Sequence, residues 1–257
     1  MLMTWQHYYT YISFFVLSLL WNILPIEGLP VQAQEVMPGR TLASRSMVTV
    51  SFTPPSTGEP LLPNNRQGGG TRDGGCPQDA KALDPRITPV MPTTRQGLTV
   101  AERPTFFVYV PKTTAKQALF VLKDENEDYY YETTLPMPKQ AGILRLKLPD
   151  EASKLEVGKT YHWSFLMICG AQVTPDSPGV QGVIKRIKPN GTLNQLDGEP
   201  LLEQALQYGA NGIWFDTLTT LAQLRQSNPQ DSSFQVAWAD LLKSVGLDAI
   251  ATQPLVN

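Results

Sequence analysis

The chain has 257 residues, is 42% hydrophobic and 17% charged, and carries a formal net charge of -2. That is enough apolar material for one sizeable core or two small ones, without the basic excess by which proteins hold nucleic acid. The two cysteines lie in no Cys-x-x-Cys pair and beside no histidine, so neither thiol catalysis nor a zinc centre is expected.

At the N-terminus, residues 12–24 are a compact apolar run. Pro25 follows, and then Val31-Gln32-Ala33, with small residues at the spacing signal peptidase accepts, so residues 1–33 read as a signal peptide. The run falls short of the ~20 apolar residues that span a bilayer, although the leading MLMTWQHYYT holds no Lys or Arg. Export implies a periplasmic or secreted protein that touches a membrane only through an uncleaved N-terminal segment. In an oxidising compartment two cysteines are most economically one disulfide, Cys76 to Cys169. Residues 34–84 are rich in Pro, Gly, Ser, Thr and Asn and read as a disordered linker. The glycine cluster before Cys76 lacks the Gly-Lys-Ser/Thr and the feeding strand of a phosphate loop.

Residues 85–190 carry short strand signals separated by turn chemistry. Seven strands are predicted, at 98–101, 105–110, 118–123, 129–135, 142–148, 160–169 and 180–188. Leu155, Gly158 and Tyr161 have the spacing of a tyrosine corner, which points to an immunoglobulin-like or fibronectin-III-like sandwich. In the sixth strand Tyr161, Trp163, Phe165, Met167 and Cys169 share the core face, opposite His162, Ser164, Leu166 and Ile168. In the fifth, Leu144, Leu146 and Leu148 read as the core face, with Arg145 and Lys147 outward. After Asn190-Gly191 the apolar period lengthens to three and four. Helices are predicted over 200–209, 213–226 and 234–245, making residues 191–257 a three-helix, tetratricopeptide-like segment. One helical hairpin is too little to stack as a repeat array, so the helices are expected to dock on the sandwich or on a partner.

No constellation reaches the specificity of a catalytic motif, and no catalytic, cofactor or metal residue is assigned. His162 is the one histidine left after cleavage, with no second group to orient it as a general base, and no Gly-x-Ser-x-Gly elbow is present. The acidic turn 124–128 opens like a calcium loop, but Tyr129 stands where a glycine is required and Leu135 where a bidentate glutamate is required. Tyr129-Tyr130-Tyr131 must alternate across a strand. Tyr129 and Tyr131 are therefore candidates for a surface that stacks on a sugar or anchors a partner, with Tyr130 in the core. Trp214 and Phe215, adjacent at a helix start, cannot both face the same way: one is expected to anchor the helices on the sandwich and the other to pack in the hairpin, the alternative being that they belong to the candidate binding surface.

Gly74-Gly75-Cys76-Pro77, residues 98–111 (LTVAERPTFFVYVP), Tyr161-His162-Trp163-Ser164-Phe165, residues 212–216 (GIWFD) and Ser244-Val245-Gly246-Leu247, in that order, resemble a family known mainly from cyanobacteria, the domain of unknown function 928. The resemblance runs from about Cys76 to the C-terminus. It implies an exported envelope protein and brings no reaction, cofactor or catalytic residue. The expected function is a non-enzymatic protein-binding or scaffold module whose partner is an envelope or secreted protein. The alternative is a carbohydrate-binding module that uses the exposed tyrosines on polysaccharide. A carboxylate-dependent hydrolase ranks last, because carboxylate separations are invisible in a sequence.

Overall fold

A computed structural model describes residues 49–55, 75–79 and 84–256. The predicted signal peptide and most of the predicted linker lie outside the described residues. All described residues fall within one compact unit, Ser46–Asn257.

The fold follows from strands whose pattern is written plainly. β7 (Thr160–Ile168) alternates half-buried and buried residues throughout, and Tyr161, Trp163, Phe165 and Met167 are all at most 1% exposed. It lies in a five-stranded sheet of order β2-β8-β7-β4-β5, built with β2 (Gln96–Thr99), β4 (Gln117–Lys123), β5 (Tyr129–Pro136) and β8 (Gly179–Arg186). A four-stranded sheet of order β1-β3-β6-β9 faces it, with β1 (Thr88–Pro89), β3 (Thr105–Val110), β6 (Gly142–Lys147) and β9 (Leu255–Val256). Seven strands match those predicted. β1 and β9, at two residues each, are too short to carry a period. Two pairings are parallel: β2 with β8, Gln96 opposite Val183, and β9 with β6, Leu255 opposite Ile143.

The four-stranded sheet is covered on both faces, and every residue of β3 is buried. Phe106 turns toward the other sheet, with ring centroids 4.9 Å from Phe120 and 5.6 Å from Trp163. Phe107 turns the opposite way and meets Trp238 at 5.8 Å. That second cover corrects the reading of β6: Ile143 is 0% exposed beside Leu144 at 3%, while Leu146 is only half-buried, because both faces of the strand meet protein.

Three helices supply the cover: α1 (Leu201–Ala210), α2 (Trp214–Ser227) and α3 (Ser232–Ser244). α3 starts at Asp231, whose carboxylate accepts the Ser233 N–H at 3.0 Å, a capping bond that satisfies one orphan donor of the first turn. It stops at Gly246, which takes φ 72, the left-handed position a glycine occupies without a Cβ clash. Trp214 and Phe215 both pack inside, which rules out only the alternative of a partner-facing surface. They are 0% and 2% exposed. The Trp214 indole donates to the Val90 carbonyl at 2.9 Å, and Phe215 lies 5.5 Å from Phe106, over Gly97, where a Cβ would meet the Phe215 ring at 2.6 Å. The first turn of α2 is enclosed on two sides, so adjacent residues both find the core.

Cys76 and Cys169 are disulfide-bonded across a sequence separation of 93, tying residues 75–79 to the end of β7. Asp79 reinforces the tie. Its carboxylate accepts the Cys76 N–H (2.7 Å), the Thr113 hydroxyl (2.7 Å), and the Thr114 N–H (2.6 Å) and hydroxyl (2.8 Å). Partial burial pushes the Asp79 carboxyl up, but these bonds outweigh it and hold the group below its ordinary value. Cross-linking a loop of this length removes chain entropy worth about 4–5 kcal/mol. Cys169→Ser is accordingly expected to lower the denaturant-measured stability by up to about that amount, whereas Asp79→Asn with the bridge intact costs about 1–3 kcal/mol. A C169S loss no larger than that of D79N would show that the bridge does not constrain the unfolded chain.

Candidate functional site

The predicted site residues separate into structural and exposed groups. Leu155 is 0% exposed, Gly158 takes φ 89, and the Tyr161 hydroxyl accepts the Glu156 N–H at 2.9 Å, so these three form the corner that the spacing predicts. Tyr130 belongs to it. Its ring sits edge-on to Tyr161 at 4.8 Å and its hydroxyl donates to the Lys154 carbonyl at 2.5 Å. Burial, and then the hydrogen bond with Tyr161, push the Tyr130 phenol up to about 12.

Tyr129 and Tyr131 do not share a platform. The β4–β5 register slips at this point, with Leu122 opposite Tyr131 and Lys123 opposite Tyr129, which leaves Tyr130 as the extra residue of a β-bulge. The slip defeats simple alternation. Tyr131 turns in toward Phe120 at 6.5 Å, while Tyr129 stays 69% exposed with the Lys123 ammonium 5.0 Å from its ring centroid. In the acidic turn, the Asp124 carboxylate accepts the Asn126 and Asp128 N–H groups at 2.8 and 3.1 Å, closing the turn on itself. No group of three or more His, Cys, Asp or Glu among the described residues could hold a metal ion. His162 lies on the outward face of the five-stranded sheet, opposite Lys123 and Val183 in the register.

A site that the sequence did not announce lies at the β2 end of that outward face. Residues 49–55 form an arm across the turn between α1 and α2. Val50 is 2% exposed, Phe52 stands edge-on to Trp214 at 4.8 Å, and the Thr53 N–H donates to the Gly209 carbonyl at 3.0 Å. Gly209 and Gly212 allow this approach: a Cβ on the first would strike the Ser51 carbonyl, and one on the second would lie 2.8 Å from that of Thr53. The arm therefore departs from the reading of residues 34–84 as linker. Two apolar residues in a Pro- and Thr-rich stretch suffice to seat it.

Between the arm and the sheet is a groove of about 510 Å³, within the range of about 300–1,000 Å³ that holds small ligands. Phe52, Pro54 and Pro55 form one wall and the turn at Pro92 and Thr94 another; Val245, just past α3, closes the end. The floor is made by the outward residues Leu98, Thr160, Val183 and Lys185, which pair across β2, β8 and β7.

Farther along β2, Asp216 fastens α2 to the strand. Its carboxylate accepts the Thr99 hydroxyl at 2.7 Å and the Val100 N–H at 3.2 Å, an N–H that would otherwise be an unpaired donor at a sheet edge. Burial pushes this carboxyl up to about 6 against the pull of those hydrogen bonds. Beside it is a pocket of about 100 Å³ that Tyr208 and Gln204 also line, and burial followed by the charge of Asp216 raises the Tyr208 phenol.

The family model described as Domain of Unknown Function (DUF928) matches residues 67–255. The chain belongs to that family. No curated protein and no solved structure matches it. The DUF928 match takes in both sheets, the bridge and all three helices, but the arm at 49–55 precedes it, so one wall of the groove is built from residues outside the matched region.

The position of Asp216 gives this DUF928 chain a defined pH response. A carboxyl raised in the fold binds its proton more tightly than in the unfolded chain. Its contribution is complete below its ordinary value near about 4 and is lost as pH rises through about 6, following proton linkage. Asp79 acts in the opposite sense at lower pH, so the two are separated by difference: between about pH 4 and 6 the stability of the parent should fall relative to that of Asp216→Asn. Parallel stability curves for the two across that interval would refute the assignment.

Proposed function

We propose that this DUF928 protein is an exported, non-enzymatic binding module of the cell envelope and that the groove between the arm and the five-stranded sheet is where it binds. The observation that carries the reading is the groove's chemistry. Its described lining is built of proline, aromatic and aliphatic surface, with hydroxyl, amide and one ammonium group, and includes no carboxylate, imidazole or thiol. Such a lining orients a ligand and offers no acid–base pair or nucleophile with an activating partner. The one carboxyl among the described residues that is shifted toward neutrality, Asp216, lies instead beside the pocket of about 100 Å³, which has room for a few waters and none for a sugar ring.

Export is supported by the Cys76–Cys169 bridge, a linkage that persists in oxidising compartments. No helix among the described residues is long and apolar enough to cross a membrane. We read the two sheets as an immunoglobulin-like sandwich, on the strand order, the parallel pairing of β2 with β8 and the tyrosine corner at β7. The tetratricopeptide-like hairpin α1–α2 serves in this reading as a support for the arm and not as a repeat. The exposed-tyrosine alternative loses ground because Tyr131 faces inward.

Thr94→Trp and Thr160→Trp narrow the groove from two sides without touching the core. Parent and variants are to be incubated with envelope extract and repurified, and the small molecules and peptides released on denaturation identified by mass spectrometry. A species released by the parent and reduced at least tenfold in both variants is the expected result. Equal release from all three, or none from the parent, would remove the groove as the binding site.

A further inference from the structure

We propose that the turn between α1 and α2 is a second, peptide-binding site, and that residues 49–55 are its resident ligand, carried on the same chain and exchangeable for an extended segment of a partner protein. This goes beyond the groove, whose lining includes none of Gly209, Gly212 and Trp214.

The arm is held as a docked peptide is held. Val50 is buried and Phe52 half-buried, while Thr49, Ser51 and Thr53 are exposed, the alternation of an extended chain lying on a surface. Val50 lies over Gly209, where a Cβ would meet it at 3.4 Å. Phe52 stands edge-on to Trp214 at 4.8 Å, and the Thr53 N–H donates to the Gly209 carbonyl at 3.0 Å. In peptide recognition of this kind main-chain bonds supply affinity and alternate side chains supply specificity. Pro54 and Pro55 follow. Each has its φ fixed by the ring, and a proline also biases the residue before it to extended backbone, so such a segment gives up less freedom on docking.

The seat is shaped to admit a main chain. At Gly209 the nearest atoms to an added Cβ all belong to the arm, the Ser51 carbonyl first. At Gly212, held at φ 73, the nearest are the Thr53 carbonyl at 2.8 Å and the Pro55 Cδ at 2.9 Å. Two glycines thus leave the room that the arm's backbone takes, and a side chain at either would close it.

The occupant and the seat also belong to different parts of the chain. The family match over residues 67–255 takes in Gly209, Gly212 and Trp214 and none of the arm, so the domain carries a site that a segment outside it fills. Residues 56–74 tether that segment to Gly75. A tethered ligand competes at an effective concentration of up to about millimolar, so a partner segment displaces the arm by binding the seat more tightly than the arm does. The arm itself defines the chemistry required: an extended peptide with an aliphatic residue, an aromatic residue two positions on, and proline two positions after that.

The test follows a labelled, end-capped peptide of residues 49–55 (TVSFTPP) by fluorescence anisotropy against the full chain and its variants. Val50→Ala combined with Phe52→Ala unseats the arm and leaves the seat open. Gly209→Ala closes the seat and suits α1, since alanine exceeds glycine in helix propensity. The peptide should bind V50A/F52A at least tenfold more tightly than the parent and G209A not at all, and it should lose at least tenfold when its own valine and phenylalanine become alanine. No binding to V50A/F52A, equal binding to G209A, or indifference to the peptide's valine and phenylalanine overturns the site. Binding that survives G209A and is lost in Thr160→Trp puts the peptide in the groove and overturns it equally. Should V50A/F52A not fold, hydrogen exchange in the parent decides. The Thr53 amide should exchange at least tenfold faster than the Thr217 amide, which donates to the Ile213 carbonyl at 3.1 Å at the start of α2; equal rates would make the arm a fixed part of the core and end the proposal.

Discussion

Two consecutive phenylalanines on β3 hold the molecule together. A strand sends neighbours to opposite faces, so Phe106 and Phe107 can both be buried only if the four-stranded sheet is covered twice. The five-stranded sheet covers one face, through Phe120 and Trp163, and α3 covers the other, through Trp238. Each ring is worth about 1.5–3 kcal/mol when withdrawn from water, a large part of the 5–15 kcal/mol by which domains are typically stable. The helices are therefore a layer of the core, and the same requirement explains why Trp214 and Phe215 are both enclosed.

Much of this was legible in the sequence, for identifiable reasons. β7 could be read residue by residue because it is long and faces one core, so its period of two is clean. The corner residues Leu155, Gly158 and Tyr161 have fixed spacing because a hydroxyl must reach a particular backbone group. The helices were placed to within two residues because Gly209, Gly212 and Gly246 mark their ends. β6 was half-legible: Ile143 and Leu144 are both buried, a pattern that a single-faced reading must split. Tyr129 to Tyr131 misled in a different way, since a bulge inserts one residue and cancels alternation exactly where it was used. The groove left no local signal at all. Phe52, Thr94, Val183 and Val245 are far apart in sequence, and only the packing of the helices brings them together.

Two carboxylates show how location sets the role of a charge. Asp79 lies among four donors near the surface and ends below its ordinary value; it is most useful ionised. Asp216 is far more deeply buried, so burial outweighs its hydrogen bonds and it ends near 6. Both fasten one segment to another, Asp79 the Cys76 loop to Thr113 and Thr114 and Asp216 the first turn of α2 to the end of β2. By contrast, the pair that Glu102 makes with Lys154 joins two exposed groups, and pairs of that kind contribute about 0–1 kcal/mol.

The groove inherits its geometry from the helices and not from the sandwich. Its floor belongs to the sheet, but the arm that walls it is held by Gly209 at the end of α1 and by Trp214 at the start of α2, and Val245 follows α3 directly. Those helices stay in place because β3 needs its second cover. A change at Phe107 or Trp238 would thus reach the groove without touching any residue that lines it: loss of the cover loosens α3, the α1–α2 turn follows, and the arm loses its seat. The shape of the groove and the packing of the core are coupled through one layer of aromatic contacts. A sheet with two buried faces in this chain therefore ties its groove to its core.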